Sequence, residues 1–323
     1  MRYRVLGRTG LEVSELSYGT WGIGKADWGG GDDDQALISL GRAIELGVTL
    51  VDTALAYGDG HSERLVGKAL KASAETVHVA TKVPPKIGGW PPPEGVHVDE
   101  VLPADWVTAS AEASLRNLGV DAIDLLQLHV WSDDWVGQGG WPEAVERLKS
   151  DGKIRFLGVS VSYGQPANGV RLLETGLVDT VQVVYNVFDQ NPEDELFPVV
   201  REHDIGVLAR VPFDEGGLTG KIRPDTEFPQ GDFRNHYFRG DRRRDVAGRV
   251  DAIASDLDVP ADRMAEMALR FCISDPAVST VVAGMRSLRN VEANARAIDA
   301  GPLSDAELQA LRPHRWVRDY HSA

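Results

Sequence analysis

The chain has 323 residues, 42% of them hydrophobic and 26% charged, a globular composition that excludes disorder and fibrous repeats. Its formal net charge of −15 repels phosphate backbones and anionic bilayers, so neither nucleic acid nor membrane is an expected partner. A single cysteine, Cys272, allows no internal disulfide or cysteine metal cluster. No apolar run approaches the ~18 residues of a membrane span and residues 1–20 hold no signal-peptide core, so the expected compartment is the cytoplasm.

Residues 1–12 read as a β-hairpin, with Thr9-Gly10 near its turn, placed to cap one end of the domain. Eight short, β-branched runs come next, at 15–21, 49–53, 77–83, 123–129, 154–160, 180–187, 206–211 and 279–283. Helical patterns lie after them at 32–45, 62–71, 104–118, 142–149, 166–174, 193–202, 263–273 and 287–298. Polar starts and Gly or Pro stops delimit the helices. Eight strand and helix pairs without a linker-like shift in composition predict one domain over residues 1–323, a (β/α)8 TIM barrel with an N-terminal β-hairpin cap. Two stretches break the rhythm, the Pro- and Gly-rich 84–102 and the irregular 212–240. Both come after strand C-termini, the catalytic rim of such a barrel, where loops of that length are usually functional.

The rim carries ionisable residues on neighbouring strands. Asp52 ends the second strand with Tyr57 five residues on, Lys82 ends the third and His129 the fourth. Singly, each has a structural account, such as a carboxylate satisfying loop amides or a buried histidine in the core. Together they suit protonation of a carbonyl oxygen. A phenol of pKa ~10 is a poor acid at neutral pH, and the Lys82 ammonium is expected to lower that value. Asp52 would keep Lys82 charged and placed, and His129 would donate a hydrogen bond to a substrate oxygen.

Competing motifs fail. Gly58-Asp59-Gly60-His61-Ser62-Glu63 puts Glu63 where a dinucleotide fingerprint needs a small residue, and the segment from Gly216 to Ile222 lacks the spacing and the Ser or Thr of a phosphate loop. Asp32-Asp33-Asp34 reads as the acidic first turn of a helix, and no metal is assigned. Arg242-Arg243-Arg244, flanked by Asp241 and Asp245, reads as a solvated helix surface. Six of the eight tryptophans lie in or after strands one, three and four. Trp21, Trp28, Trp90 and Trp131, with His129, are candidates for the substrate mouth, and Trp135 and Trp141 for packing. Such aromatic walls favour aromatic, bulky or sugar-like carbonyls.

The segments YRVLGRTGLEVSELSYGTWGIG, VDTALAYGDGHSERLVGKAL, LLQLH, GVSV, QVVYN, GLTGK and AGMRSLRNVEANARA resemble the aldo-keto reductase superfamily, in its order, from residue 3 to about 300. The resemblance implies an NAD(P)H-dependent carbonyl reductase in which Asp52, Tyr57, Lys82 and His129 form the catalytic tetrad and Tyr57 is the general acid. It also implies cofactor contacts. Gly19, Thr20, Trp21 and Asp52 would meet the nicotinamide ribose, and Ser160 and Gln182 the carboxamide, with Val161 replacing a frequent Asn. Arg210 stands where an aromatic ring commonly stacks on the nicotinamide. The alternative for Arg210 is a pair with Asp214 or Glu215. Val211, Phe213, Leu218 and Lys221 fall in the segment that covers the pyrophosphate. Gly284, Arg286, Asn290 and Asn294 fall at the adenosine and 2′-phosphate end, where Asn290 and Ala293 depart from the usual residues. The expected cofactor is NADPH, with NADH bound more weakly, and the expected partner is a small carbonyl substrate. A cofactor-sensing barrel like those attached to potassium channels, and alcohol oxidation by the same tetrad, are the alternatives.

Overall fold

Strands of this composition cannot leave edges unpaired, and closure into a barrel removes them. The computed structural model describes residues 1–24, 31–318 and 320. Within them β1 (Tyr3–Val5) and β2 (Glu12–Ser14) form an antiparallel hairpin. Eight parallel strands come after it: β3 (Leu16–Gly19), β4 (Leu50–Asp52), β5 (His78–Val83), β6 (Ile123–Leu128), β7 (Ile154–Ser160), β8 (Thr180–Val184), β9 (Gly206–Arg210) and β10 (Val278–Gly284). Each pairs with the next in sequence, and β10 pairs with both β9 and β3, which closes the barrel.

Helices pack outside in the expected alternation. They are α1 (Asp33–Glu45), α2 (His61–Ala72), α3 (Val98–Val101), α4 (Ala104–Leu118), α5 (Trp141–Ser150), α6 (Val170–Glu174) and α7 (Leu196–Glu202), then α8 (Arg234–Tyr237), α9 (Arg242–Asp256), α10 (Met264–Ser274), α11 (Leu288–Asp299) and α12 (Asp305–Leu311). Side-chain caps fix several starts: Asp32 accepts from the amide of Asp34, Ser287 from that of Asn290, and Ser304 forms a capping box with Glu307. Among the described residues no helix is long and apolar enough to cross a membrane. Three helices go beyond the sequence expectation: short α3 interrupts the loop 84–102, α8 interrupts the irregular stretch, and α12 comes after the last barrel helix, whereas α9 begins with Arg242-Arg243-Arg244 of the expected helix surface.

The period of two along each strand decides what faces the barrel axis. Leu50, Ala80, Leu125, Leu208 and Val282 form one inner apolar layer with Leu6, Leu11 and Val13 of the hairpin region. The hairpin therefore plugs the N-terminal mouth, as expected. Gly7 makes that approach possible, since a Cβ there would meet the Gly206 amide nitrogen at 2.3 Å. Two residues further along the same strands, the inward positions are Asp52, Lys82, Gln127, Arg210 and Gly284, a polar layer at the open rim.

Candidate active site

Lys82 and Asp52 meet at the floor of the rim. Lys82 Nζ donates to Asp52 Oδ2 at 2.7 Å and to the Thr53 carbonyl at 2.8 Å. Asp52 Oδ1 accepts from the side-chain amides of Gln182 at 2.8 Å and Gln127 at 3.2 Å. The carboxylate is thus satisfied from three strands, the condition under which a buried charge is tolerable.

Tyr57 stands over this pair, with Lys82 Nζ 5.2 Å from its ring centroid. The expected lowering of its pKa is overturned. Burial raises it, and the Lys82 charge offsets only part of that rise. The phenol therefore keeps its proton across neutral pH. His129 packs edge-on against the Tyr57 ring, centroids 5.8 Å apart. Burial, with Lys82 and Arg210 nearby, pushes its pKa well below the ordinary value, so the ring is neutral. Its Nδ1 is buried without a partner.

A cleft of about 330 Å³ runs from Tyr57 and Asp52 across the rim. Gly19, Thr20, Trp21, Gln182, Arg210, Val211, Phe213, Lys221, Gly284, Arg286, Asn290 and Asn294 line it. The structure thus brings these expected residues together. Ser160 and Leu218 are buried beside the cleft without lining it. Ser160 sits in register with Gln182 on the adjacent strand, and Leu218 packs its side chain into the core. Arg210 makes no ion pair with Asp214 or Glu215 among the described residues. It donates to the Val161 carbonyl at 3.1 Å, and its Nε is buried without a partner.

The aromatic expectations divide. Trp90 is 55% exposed and its ring lies 5.2 Å from His129, edge-on. Trp21 lines the cleft and packs on Phe233 at 5.3 Å. Trp131 is a correction, because it is fully buried and packs edge-on against Trp135 and Trp141. It fills the loop and does not reach the substrate mouth. Trp28 lies outside the described residues.

The sequence reading gives no cleft role to two lining residues, Arg234 and Glu215, nor to Gln127 of the polar rim layer. Gln127 shares Asp52 with Gln182, and its signal is present, since it lies two residues before His129 on the inward face of β6. Arg234 lines the cleft with its guanidinium forked onto buried Asp232, Nε to Oδ1 at 2.9 Å and one terminal nitrogen to Oδ2 at 2.7 Å. Glu215 lines the same wall, and burial beside Asp214 pushes its carboxyl up to about 8. Neither position has a local pattern that tells it from an irregular loop.

The donor set fits a dinucleotide. Cationic Arg210, Lys221, Arg234 and Arg286 share one cleft, and two buried polar atoms on its wall, Arg210 Nε and Asn294 Nδ2, lack protein partners. Gly22 lets the Arg286 side chain lie flat along the wall, where a Cβ would meet its Cδ at 2.9 Å.

A hairpin-capped parallel barrel with this rim defines a (β/α)8 oxidoreductase acting on carbonyl and alcohol groups with NAD(P)H. The chain belongs to the aldo/keto reductase family, whose family model matches residues 15–315. It is 30% identical to the aldo-keto reductase YhdN of Bacillus subtilis (strain 168), covering 91% of this chain and 87% of that one. It is also 30% identical to the NADH-specific methylglyoxal reductase of Escherichia coli (strain K12), covering 95% and 96%. Among solved structures, the holo form of the aldo-keto reductase AKR11C1 from Bacillus halodurans superposes with a TM-score of 0.77 at 30% identity, covering 100% and 99%.

Proposed function

We propose that this single-domain chain reduces an aldehyde or ketone to an alcohol with NADPH as its preferred cofactor and Tyr57 as the proton donor. The observation that carries the reading is a buried phenol held above a buried Lys82–Asp52 pair and edge-on to the His129 ring. A bound nicotinamide cofactor supplies the reducing equivalent. Gly19, Thr20, Trp21 and Asp52 would hold its ribose, Ser160 and Gln182 its carboxamide, and Arg210 the nicotinamide face. Val211, Phe213, Leu218 and Lys221 would cover its diphosphate, and Gly284, Arg286, Asn290 and Asn294 its adenosine end.

The chain's own groups divide the proton work. His129, neutral, donates a hydrogen bond to the substrate oxygen from Nε2, the nitrogen left open when Nδ1 is buried. Tyr57 passes its proton to that oxygen as negative charge grows there. Lys82 stabilises the phenolate left behind, and Asp52 holds Lys82 in place. Exposed Trp90 and cleft-lining Trp21 favour a planar or apolar face on the substrate. The single cysteine is buried, in keeping with a cytoplasmic setting.

The relative that is NADH-specific by name makes cofactor choice an explicit part of the test. Oxidation of NADPH and NADH is followed by absorbance against aldehydes, ketones and sugars, with wild type and Tyr57→Phe. Wild type is expected to turn over with NADPH preferred. The Phe variant should lose about 10² to 10⁴ in kcat while binding cofactor as before, because the phenolic proton is needed only in the transition state. A variant that keeps most of its activity would remove Tyr57 from the role.

A further inference from the structure

A second buried cluster of charge lies behind the segment that covers the cleft. Asp189, in the loop after β8, and Asp214, in the loop after β9, are both buried and both pair with Arg318. The Arg318 side chain is 4% exposed. One of its terminal nitrogens lies 3.3 Å from each Asp189 oxygen, and the other donates to Asp214 Oδ1. Two phenols complete the set: Tyr237 donates to Asp214 Oδ1 at 2.6 Å, and Tyr163 donates to Asp189 Oδ2 at 3.3 Å. The two hydroxyls lie 2.9 Å apart. Asn186 ties the cluster to the cleft wall, since its side-chain amide donates to Asp189 Oδ2 and to the Val211 carbonyl, each at 3.0 Å.

The residues joined here come from the loops after β7, β8 and β9 and from the carboxy-terminal segment. Asp189, Asp214, Tyr163, Tyr237 and Arg318 all lie off the cleft lining, so none is a catalytic residue. The segment they hold is strained. Val211, Asp214 and Glu215 have φ of 56°, 50° and 54°, values that non-glycine residues keep only where the surroundings fix them. Without Arg318, the two buried carboxylates would lose their shared cation, and with it the ion pairs that tie the loops after β8 and β9 to the carboxy-terminal segment.

We propose that Arg318 is a positioning residue that latches residues 211–221 in the shape that closes on a dinucleotide's diphosphate, so that the carboxy-terminal segment sets cofactor affinity. The inference rests on the proposed cofactor reading. Because the diphosphate is common to both cofactors, the latch should act equally on NADPH and NADH.

The test compares wild type with Arg318→Ala, Arg318→Lys and Tyr237→Phe. Amide exchange over residues 211–221 is measured without cofactor, dissociation constants for NADPH and NADH by tryptophan fluorescence, and kcat at saturating cofactor. Arg318→Ala is expected to speed exchange in the segment by about ten-fold or more. It should raise both dissociation constants about ten-fold by the same factor, with kcat at saturation within about two-fold, because only the ordering of the loop changes. Lys should rescue part of the loss. Tyr237→Phe, which keeps the ring and removes the hydroxyl that meets Asp214 and Tyr163, should move exchange and affinity the same way by less, and it decides the matter if the Ala variant does not fold. Unchanged exchange and affinity alongside a lower Tm would overturn the proposal, as would a loss confined to NADPH. If wild type binds neither dinucleotide, the cofactor reading fails, while exchange in the segment still reports whether Arg318 latches it.

Discussion

Lys82 donates to Asp52 across 2.7 Å with their side chains 0% and 4% exposed, so the two charges that set the rim's electrostatics are also a buried structural pair. Removing one partner of such a pair leaves an uncompensated charge in the barrel. Asp52→Ala is expected to cost about 3 to 5 kcal/mol, read as a lower urea midpoint at unchanged slope. The double variant Asp52→Asn, Lys82→Met should recover much of that stability and none of the activity. A wild-type midpoint for Asp52→Ala would show that leaving Lys82 without its carboxylate partner costs the barrel nothing.

The aromatic residues give a contrast between mouth and core. Trp90 is half exposed against His129, whereas Trp131 is sealed between Trp135 and Trp141. Trp90→Ala should raise KM for bulky carbonyls with little change in Tm. Trp131→Ala should cost about 3 to 5 kcal/mol through the cavity it leaves while leaving KM for small aldehydes in place. Equal effects of the two substitutions on KM would return Trp131 to the substrate mouth.

The same contrast shows what the sequence can reveal. The eight strands are legible because a buried parallel strand needs a run of β-branched residues, and the rim residues because they end such runs. Trp131 is misplaced by sequence because an aromatic after a strand looks alike whether it turns into the pocket or into the loop's own core. Gln127 is within reach of alternation from His129. Arg234 and Glu215 are not, because their approach to the cleft depends on the path of residues 212–240, which has no period. Tyr57 shows a further limit: sequence puts a cation beside the phenol, but the degree of burial, which reverses the sign of its shift, is a property of the folded rim.

We expect cofactor choice to turn on Arg286. It lines the cleft near the start of α11, where helix amides and a cation together suit a phosphate. A charge-assisted hydrogen bond is worth about 1.5 to 3 kcal/mol, or about ten- to a hundred-fold in affinity. Arg286→Ala should weaken NADPH by that factor, hardly affect NADH, and lose its effect at high salt. Equal losses would mean that Arg286 supports the wall through Gly22 and does not read the 2′-phosphate.

Glu215 is expected to make both stability and cofactor binding depend on pH. Burial, reinforced by Asp214 and opposed by Arg210 and Arg234, lifts its carboxyl from the ordinary 4.5 to about 8. Between those values the folded chain holds a proton that the unfolded chain has lost, so the contribution of this group to stability falls as pH rises from 4.5 to about 8 and is level above. Glu215→Gln removes that decline: the variant should match wild type near pH 5 and melt higher than wild type near pH 9. The cleft should show the same sign. Ionised, Glu215 opposes a phosphate beside Arg210, Lys221 and Arg234, so the wild-type dissociation constant for NADPH should rise through about pH 8 while that of the Gln variant stays flatter. Parallel pH profiles for the two proteins, in melting and in binding, would show that Glu215 is ionised throughout and that another group governs the dependence.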